Sequence, residues 1–245
     1  MNNHDGRAGR STRDMAERRS KARRWFVLVI TGAGLLILLV ASNIKVAGAG
    51  IIGVFGLLIL VRFLTDYMDV RARRMRKEER RAARGARAEE RIGAILDELG
   101  EDYFVLHDVS SLYGNIDHIV ICKYGGVFLI ETKAHGGRVY VSNGQLLVNG
   151  HEPEKDFIAQ ALRNTYWLRD RICDEINVKI WITPVLVFTN AFVERTAPIK
   201  GVNIINKRYL PNVLQRSNTR TQNLAAWENR ERIQEALYAT SDDEM

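Results

Sequence analysis

Cysteine is scarce: the 245 residues hold two, Cys122 and Cys173, with no CxxC spacing. That excludes a disulfide framework and reads as two reduced, buried thiols of a reducing compartment. The five histidines are scattered, with no HxxxH and no Cys/His cluster, so a zinc site is not expected. No GxxxxGK[ST] loop is present, which argues against intrinsic ATP-driven translocation. Internal repeats are missing, as is low complexity beyond the Arg-rich stretches. No aromatic stacking platform for single strands is apparent in the linear sequence.

Positive charge, in contrast, is abundant and blocked. The formal charge is +7, and the basic residues collect before Trp25 and again from Arg71 to Arg91. Between these blocks, Trp25 to Ala41 carries no charge, and Ala47 to Leu64 carries only Arg62. Crossing ~30 Å of hydrocarbon takes roughly 17–25 apolar residues, so both runs reach the lower limit. A five-residue link, Ser42 to Val46, makes them an antiparallel helical hairpin. Arg-rich flanks outside both helices, against Lys45 alone inside the link, place both termini in the cytoplasm of a two-pass cell-membrane protein. Gly32, Gly34, Ala49, Gly53 and Gly56 would let the helices approach closely, and would also permit a homo-oligomer. The organisation expected is a basic tail over 1–24, the hairpin over 25–64, a basic juxtamembrane helix over 65–85, and a soluble domain over 86–245. The juxtamembrane charge suits membrane lipids and nucleic acid alike. A solvated helix that merely fixes topology is the plainer alternative.

The spacing of Ile92, Ile95, Leu96 and Leu99 predicts a helix over 86–99, stopped by Gly100. "YFVLHDV" reads as a strand. "IDHIVICK" and "GVFLIETK" read as a hairpin, and "GRVYVS" with "QLLVNG" as a second one around Asn143-Gly144. A helix follows over 154–177, then a buried strand bent at Pro184, a short strand in "GVNIIN", and a closing helix over 221–238. The core order is α-β-β-β-α-β, an α/β sandwich with a mixed sheet.

Within this frame a few charges stand out. Glu131 and Lys133 are two apart on one strand and share a face. A three-residue turn at Tyr124–Gly126 would set Asp117 opposite Lys133, diagonal to Glu131, on that same face. Asp117 and Glu131 then suit a hard divalent cation such as Mg²⁺ or Mn²⁺, and Lys133 suits a water or a developing oxyanion. Glu89 lies at the edge of the apolar helix face and could lean over the sheet. Gln160 has a similar position on the next helix. The ordinary alternatives are a cross-strand ion pair at an exposed strand end, a first-turn helix carboxylate, and a polar helix residue.

"AEERIGAIL", "DYFVLHDV", "IDHIVICKYGGVFLIETKAHGGRVY" and "FIAQALRN" together resemble the nuclease-related domain, NERD, over roughly Ala88 to Asn190. That family is assigned to the PD-(D/E)xK, restriction-endonuclease-like superfamily. The resemblance implies a restriction-endonuclease-like core preceded by the two transmembrane helices. It also implies a metal-binding Asp at Asp117, the ExK pair at Glu131 and Lys133, the early helical Glu at Glu89 and the helical Gln at Gln160. Ala88 stands where the family usually has Gly. The activity implied is Mg²⁺-dependent hydrolysis of phosphodiester bonds, with DNA as first substrate. A non-catalytic module that binds nucleic acid or a partner protein at the membrane, and an oligomeric scaffold, are the competing readings.

Overall fold

Alternating apolar residues bounded by Gly and Asn turns generate the strands of this chain, and apolar residues three and four apart generate its helices. The computed structural model describes residues 51–215 and 222–239. In chain order these are α1 (Ile51–Asp97), β1 (Tyr103–Ser111), β2 (Gly114–Cys122), β3 (Val127–Ser142), β4 (Gln145–Val148), α2 (Phe157–Ile176), β5 (Ile182–Val193) and β6 (Asn203–Asn206). A 3₁₀ turn over Lys207–Tyr209 leads to α3 (Leu210–Gln215), α4 (Gln222–Glu228) and α5 (Arg230–Ala239).

The sheet runs β1-β2-β3-β5-β6, with β4 paired to the far half of β3. The β1–β2, β2–β3 and β3–β4 pairs are antiparallel, while β3–β5 and β5–β6 are parallel. The expected mixed α/β sheet is therefore present, with more strands than the simple order requires. Strand β3 is the reason: its 16 residues join what reads in the sequence as two separate strands. A register shift between Lys133 and Gly136 carries it past the Gly pair without ending it. Pro184 does not break β5. It lies before the β6 pairing begins at Val185, so its missing N–H removes no bond to that neighbour.

Helices cover both faces. On one, α2 with α4 and α5 packs Leu168, Ile172, Ala226, Ile233 and Leu237 against Ile119, Ile121, Val127 and Leu129. On the other, Ile92 and Leu96 of α1 and Leu210 and Leu214 of α3 pack against Val120, Phe128, Ile130 and Val187. The even and odd residues of β2 and β3 thus serve opposite cores, as the pleat demands. A third cluster, including Val139, Leu146, Phe188 and Ile204, fills the far end under the start of α2.

Several boundaries differ from the sequence reading. The basic run over 65–85 and the helix over 86–99 are one continuous α1, because no residue between them breaks a helix strongly enough. The closing helix is two helices, parted at Asn229. Among the described residues, those from Arg84 onward belong to one compact unit and those from Ile51 to Ala83 to another. The first apolar run, Trp25 to Ala41, lies outside the described residues, as do Ala47 to Gly50 of the second. Among the described residues no helix is long and apolar enough to cross a membrane.

Candidate active site

The turn between β2 and β3 sits one residue earlier than its glycines suggest. Ile121 pairs with Val127 and the Cys122 N–H donates to the Gly126 carbonyl, so the loop is Lys123 to Gly125. This corrects the expected pairing: Asp117 falls opposite Glu131, not opposite Lys133. A turn of the same length, moved by one residue, shifts the partner by two, and a shift of two keeps the face. Asp117, Glu131 and Lys133 therefore still share one side of the sheet.

At Asp117 the strands part. The last paired residues are His118 and Ile130, and beyond them the Asp117 carboxylate accepts a 2.6 Å hydrogen bond from the Thr132 N–H. A side chain thus takes the place of a strand carbonyl. On the other side of β2 the ladder also skips Asp117: His107 pairs with His118 and Val109 with Ile116, leaving Asp108 out. Asp108 adopts φ 55°, a left-handed conformation that Asp tolerates better than most residues, and its Oδ1 accepts from Asn115 Nδ2 at 2.8 Å.

Glu131 is only 1% exposed, yet both of its oxygens are engaged. Asn164 Nδ2 donates to Oε1 at 2.8 Å, and Gln160 Nε2 donates to Oε2 at 3.0 Å. Lys133 Nζ donates to the same Oε2 and to Gln160 Oε1, both at 3.3 Å. Its ammonium also lies 5.1 Å from the centre of the Phe157 ring. The two amides are one helical turn apart and so project together from α2. That helix is started by Asp156, whose side chain accepts from the Ala159 N–H at 2.9 Å.

Burial raises the Asp117 carboxyl well above its ordinary value, followed by the neighbouring charge of Glu131. Lys133 acts in the opposite direction, Glu89 adds to the rise, and the Thr132 N–H lowers it. The charge of Glu89, carried on α1, is thus felt at the site although that helix packs on the other face. Ala88 beside it is 2% exposed, which accounts for a small residue there. Of the five residues singled out in the sequence, Glu131, Lys133 and Gln160 are joined by hydrogen bonds, Asp117 feels the charges of Glu131 and Lys133, and Glu89 acts on Asp117 through its charge from the other face. Three others were missed: Asn164, Ser111, whose Oγ lies 3.0 Å from Asn164 Oδ1, and Asp108. The i+4 spacing from Gln160 was the available signal for Asn164.

Behind β2, on the α1 side, a second buried polar chain runs from Asp97 to His107 to His118. His107 Nε2 is 2.9 Å from Asp97 Oδ1, and the two Nδ1 atoms are 2.8 Å apart. Burial first, then His107, depresses His118 to about 3. One ring must donate and the other accept, so the pair is neutral on at least one side.

The molecule is thus an α/β protein with two carboxylates, an ammonium and two amides converging where the central strands separate. Residues 84–189 match the family model of the nuclease-related domain, NERD, which supports placing this segment in that family. No curated protein and no solved structure matches the chain.

Proposed function

We propose that this chain is a metal-dependent nuclease that hydrolyses phosphodiester bonds, DNA first. The observation that carries the reading is the meeting of Asp117, Glu131 and Lys133 on one face at a strand split, inside the nuclease-related segment. Among the described residues no group of three or more His, Cys, Asp or Glu is placed to hold a metal ion. The donor set nevertheless suits Mg²⁺ or Mn²⁺, which keep several waters and take one or two carboxylates. The rise at Asp117 is compatible with the fit: after burial, its largest cause, the charge of Glu131 opposes its ionisation, Lys133 acts as counter-charge, and Glu89 adds to the rise. Asp117 and Glu131 would hold the ion, which when bound adds positive charge beside the phosphate and makes a water more acidic.

The remaining work falls to the chain itself. Asn164 and Gln160 fix the Glu131 carboxylate so that it does not swing away from Asp117. Lys133, held between Glu131 and Gln160, orients a water or meets negative charge as it develops on the phosphate. Gln160 helps set the Lys133 ammonium by accepting from it through Oε1. The basic residues of α1 draw the polyanion. Under this reading the apolar runs over 25–41 and 47–64 would anchor the enzyme in the cell membrane, with both termini cytoplasmic and lipid headgroups beside the basic helix.

One observation favours the non-catalytic reading. Glu131 is satisfied by three donor groups within the protein itself, as a purely structural carboxylate would be. The two readings separate cleanly. Full-length protein in detergent with Mg²⁺ is expected to nick supercoiled DNA, a chelator to stop it, and Asp117→Ala and Lys133→Ala each to abolish it. Cleavage that survives both substitutions overturns the nuclease reading. Salt-dependent DNA binding without cleavage supports the binding module.

A further inference from the structure

Along α2, beyond the two amides that hold Glu131, lies a cavity of about 330 Å³. Tyr113, Tyr166 and Trp167 supply its aromatic walls. Arg163 and Arg171 line it together with Asp170 and Asp174. We propose that this cleft receives an unstacked nucleobase of a single strand whose backbone is held at the carboxylate site. The proposal rests on the nuclease reading and names the form of its substrate.

Three observations carry it. The first is composition. Tyr113 and Tyr166 are 55% and 52% exposed, and both line one cavity. Arg169 lies with its guanidinium 5.2 Å from the Tyr166 ring centre, which holds that ring in place. Aromatic faces accept any base by stacking. The second is charge. Two arginines and two aspartates cancel, so the cleft does not merely attract a polyanion. It offers donors and acceptors around an apolar slot, which matches a flat base with polar edges. Aspartates accept from exocyclic amino groups, and arginines donate to ring nitrogens and carbonyl oxygens. The Arg171 guanidinium is tied to the Ala236 carbonyl at 3.1 Å and so forms a fixed wall. The volume lies at the small end of ligand cavities, right for a base and too small for a duplex.

The third is continuity with the carboxylates. The Tyr113 N–H donates to Ser111 Oγ at 3.1 Å, and that hydroxyl lies 3.0 Å from Asn164 Oδ1. Asn164 in turn donates to Glu131. The Tyr113 turn is thus linked to the Glu131 site through Ser111 and Asn164, the Ser111 hydroxyl sharing its proton between the Gly114 carbonyl and Asn164. At ~1.5 Å of rise per residue, Tyr166 lies roughly 9 Å along α2 from Gln160. In the linear sequence the two tyrosines are 53 residues apart, which is why no platform was legible there.

The test uses full-length protein in detergent with EDTA, so that no cleavage intrudes. Binding of a dye-labelled single-stranded oligonucleotide is measured by anisotropy, beside the same sequence as a blunt duplex. Tyr113→Ala and Tyr166→Ala are each expected to weaken single-strand binding on the order of tenfold, with duplex binding unchanged, while Tyr166→Phe retains it. Equal losses for single strand and duplex, or no loss in either Ala variant, overturn the proposal. Both residues are exposed, so the variants are expected to fold, and circular dichroism checks this. Tyr209→Ala, at an exposed ring outside the cleft, should bind like the wild type, and the assay requires no cleavage. Failure of the nuclease reading would therefore leave the binding result standing, and the reverse also holds.

Discussion

Two buried polar networks flank β2, one on each side of the sheet, and they differ in the groups that surround the buried residue. On the α1 side, Asp97, His107 and His118 form a chain in which burial drives His118 to the neutral form. On the α2 side, burial likewise pushes Asp117 toward its neutral form, but the next influences are the charges of Glu131 and Lys133 beside it. A neutral group is the cheap solution for a structural network, because an unpaired charge in a low dielectric costs several kcal/mol. A network that gathers two carboxylates and an ammonium at a strand split is suited to meeting a charged ligand. The contrast between adjacent residues lies in their partners: His118 meets a second imidazole, and Asp117 meets charged groups.

The largest effect expected from breaking this contrast is at Lys133. Lys133→Ala should lower the DNA-nicking rate by roughly 10²–10³-fold, the size of a lost transition-state donor. His107→Phe, on the other face, should leave any residual nicking dependent on Mg²⁺ and lower thermal stability. Activity assays on both, normalised to folded protein, decide between site and framework.

Acid should distinguish the two networks next. His118 is depressed to about 3 in the fold and returns to about 6.5 when unfolded. The unfolded chain therefore takes up a proton first, and stability present above about 6.5 is lost as pH falls toward 3. The loss at pH 4 is on the order of 3 kcal/mol, and His118→Gln should flatten that limb in urea titrations. Asp117 has the reverse sign. Its raised carboxyl contributes stability below the ordinary carboxylate range and forfeits it as pH rises through the folded value. Metal-free Asp117→Asn protein should be more stable than wild type at pH 8, and the gap should close on acidification.

How far these networks could be read from the residues alone differs between them. Asp117, Glu131 and Lys133 were legible because strand periodicity is two and the misplaced turn moved their partners by two. A turn one residue shorter would have hidden Asp117 on the other face. Asn164 and Ser111 were not legible, since their contact bridges 53 residues and depends on where α2 crosses β1. The His107–His118 pair was passed over because two histidines 11 residues apart show no metal spacing. The continuous α1 and the break at Asn229 were missed for a common reason: helix ends are set by packing as much as by local residues. The mixed sheet was legible because hairpin turns and a helical crossover leave few alternatives.

Two milder perturbations sharpen the comparison. Asn164→Ala removes a donor from buried Glu131 and should cost about 2 kcal/mol in denaturant unfolding without metal. Each face also carries one cysteine. Burial pushes the Cys122 thiol, on the α1 side, up to about 12, while Cys173 on the α2 side is only partly buried. Maleimide at pH 7.5 should label Cys173 first and leave Cys122 unmodified until the chain unfolds, as mass spectrometry would read.

The bond from the Thr132 N–H to Asp117 gives the site a built-in reporter. Whatever neutralises or captures that acid must redraw electron density at a single backbone amide. Nitrogen-15 spectra of selectively threonine-labelled protein would therefore register ion uptake as a displaced Thr132 resonance, before any substrate is cut.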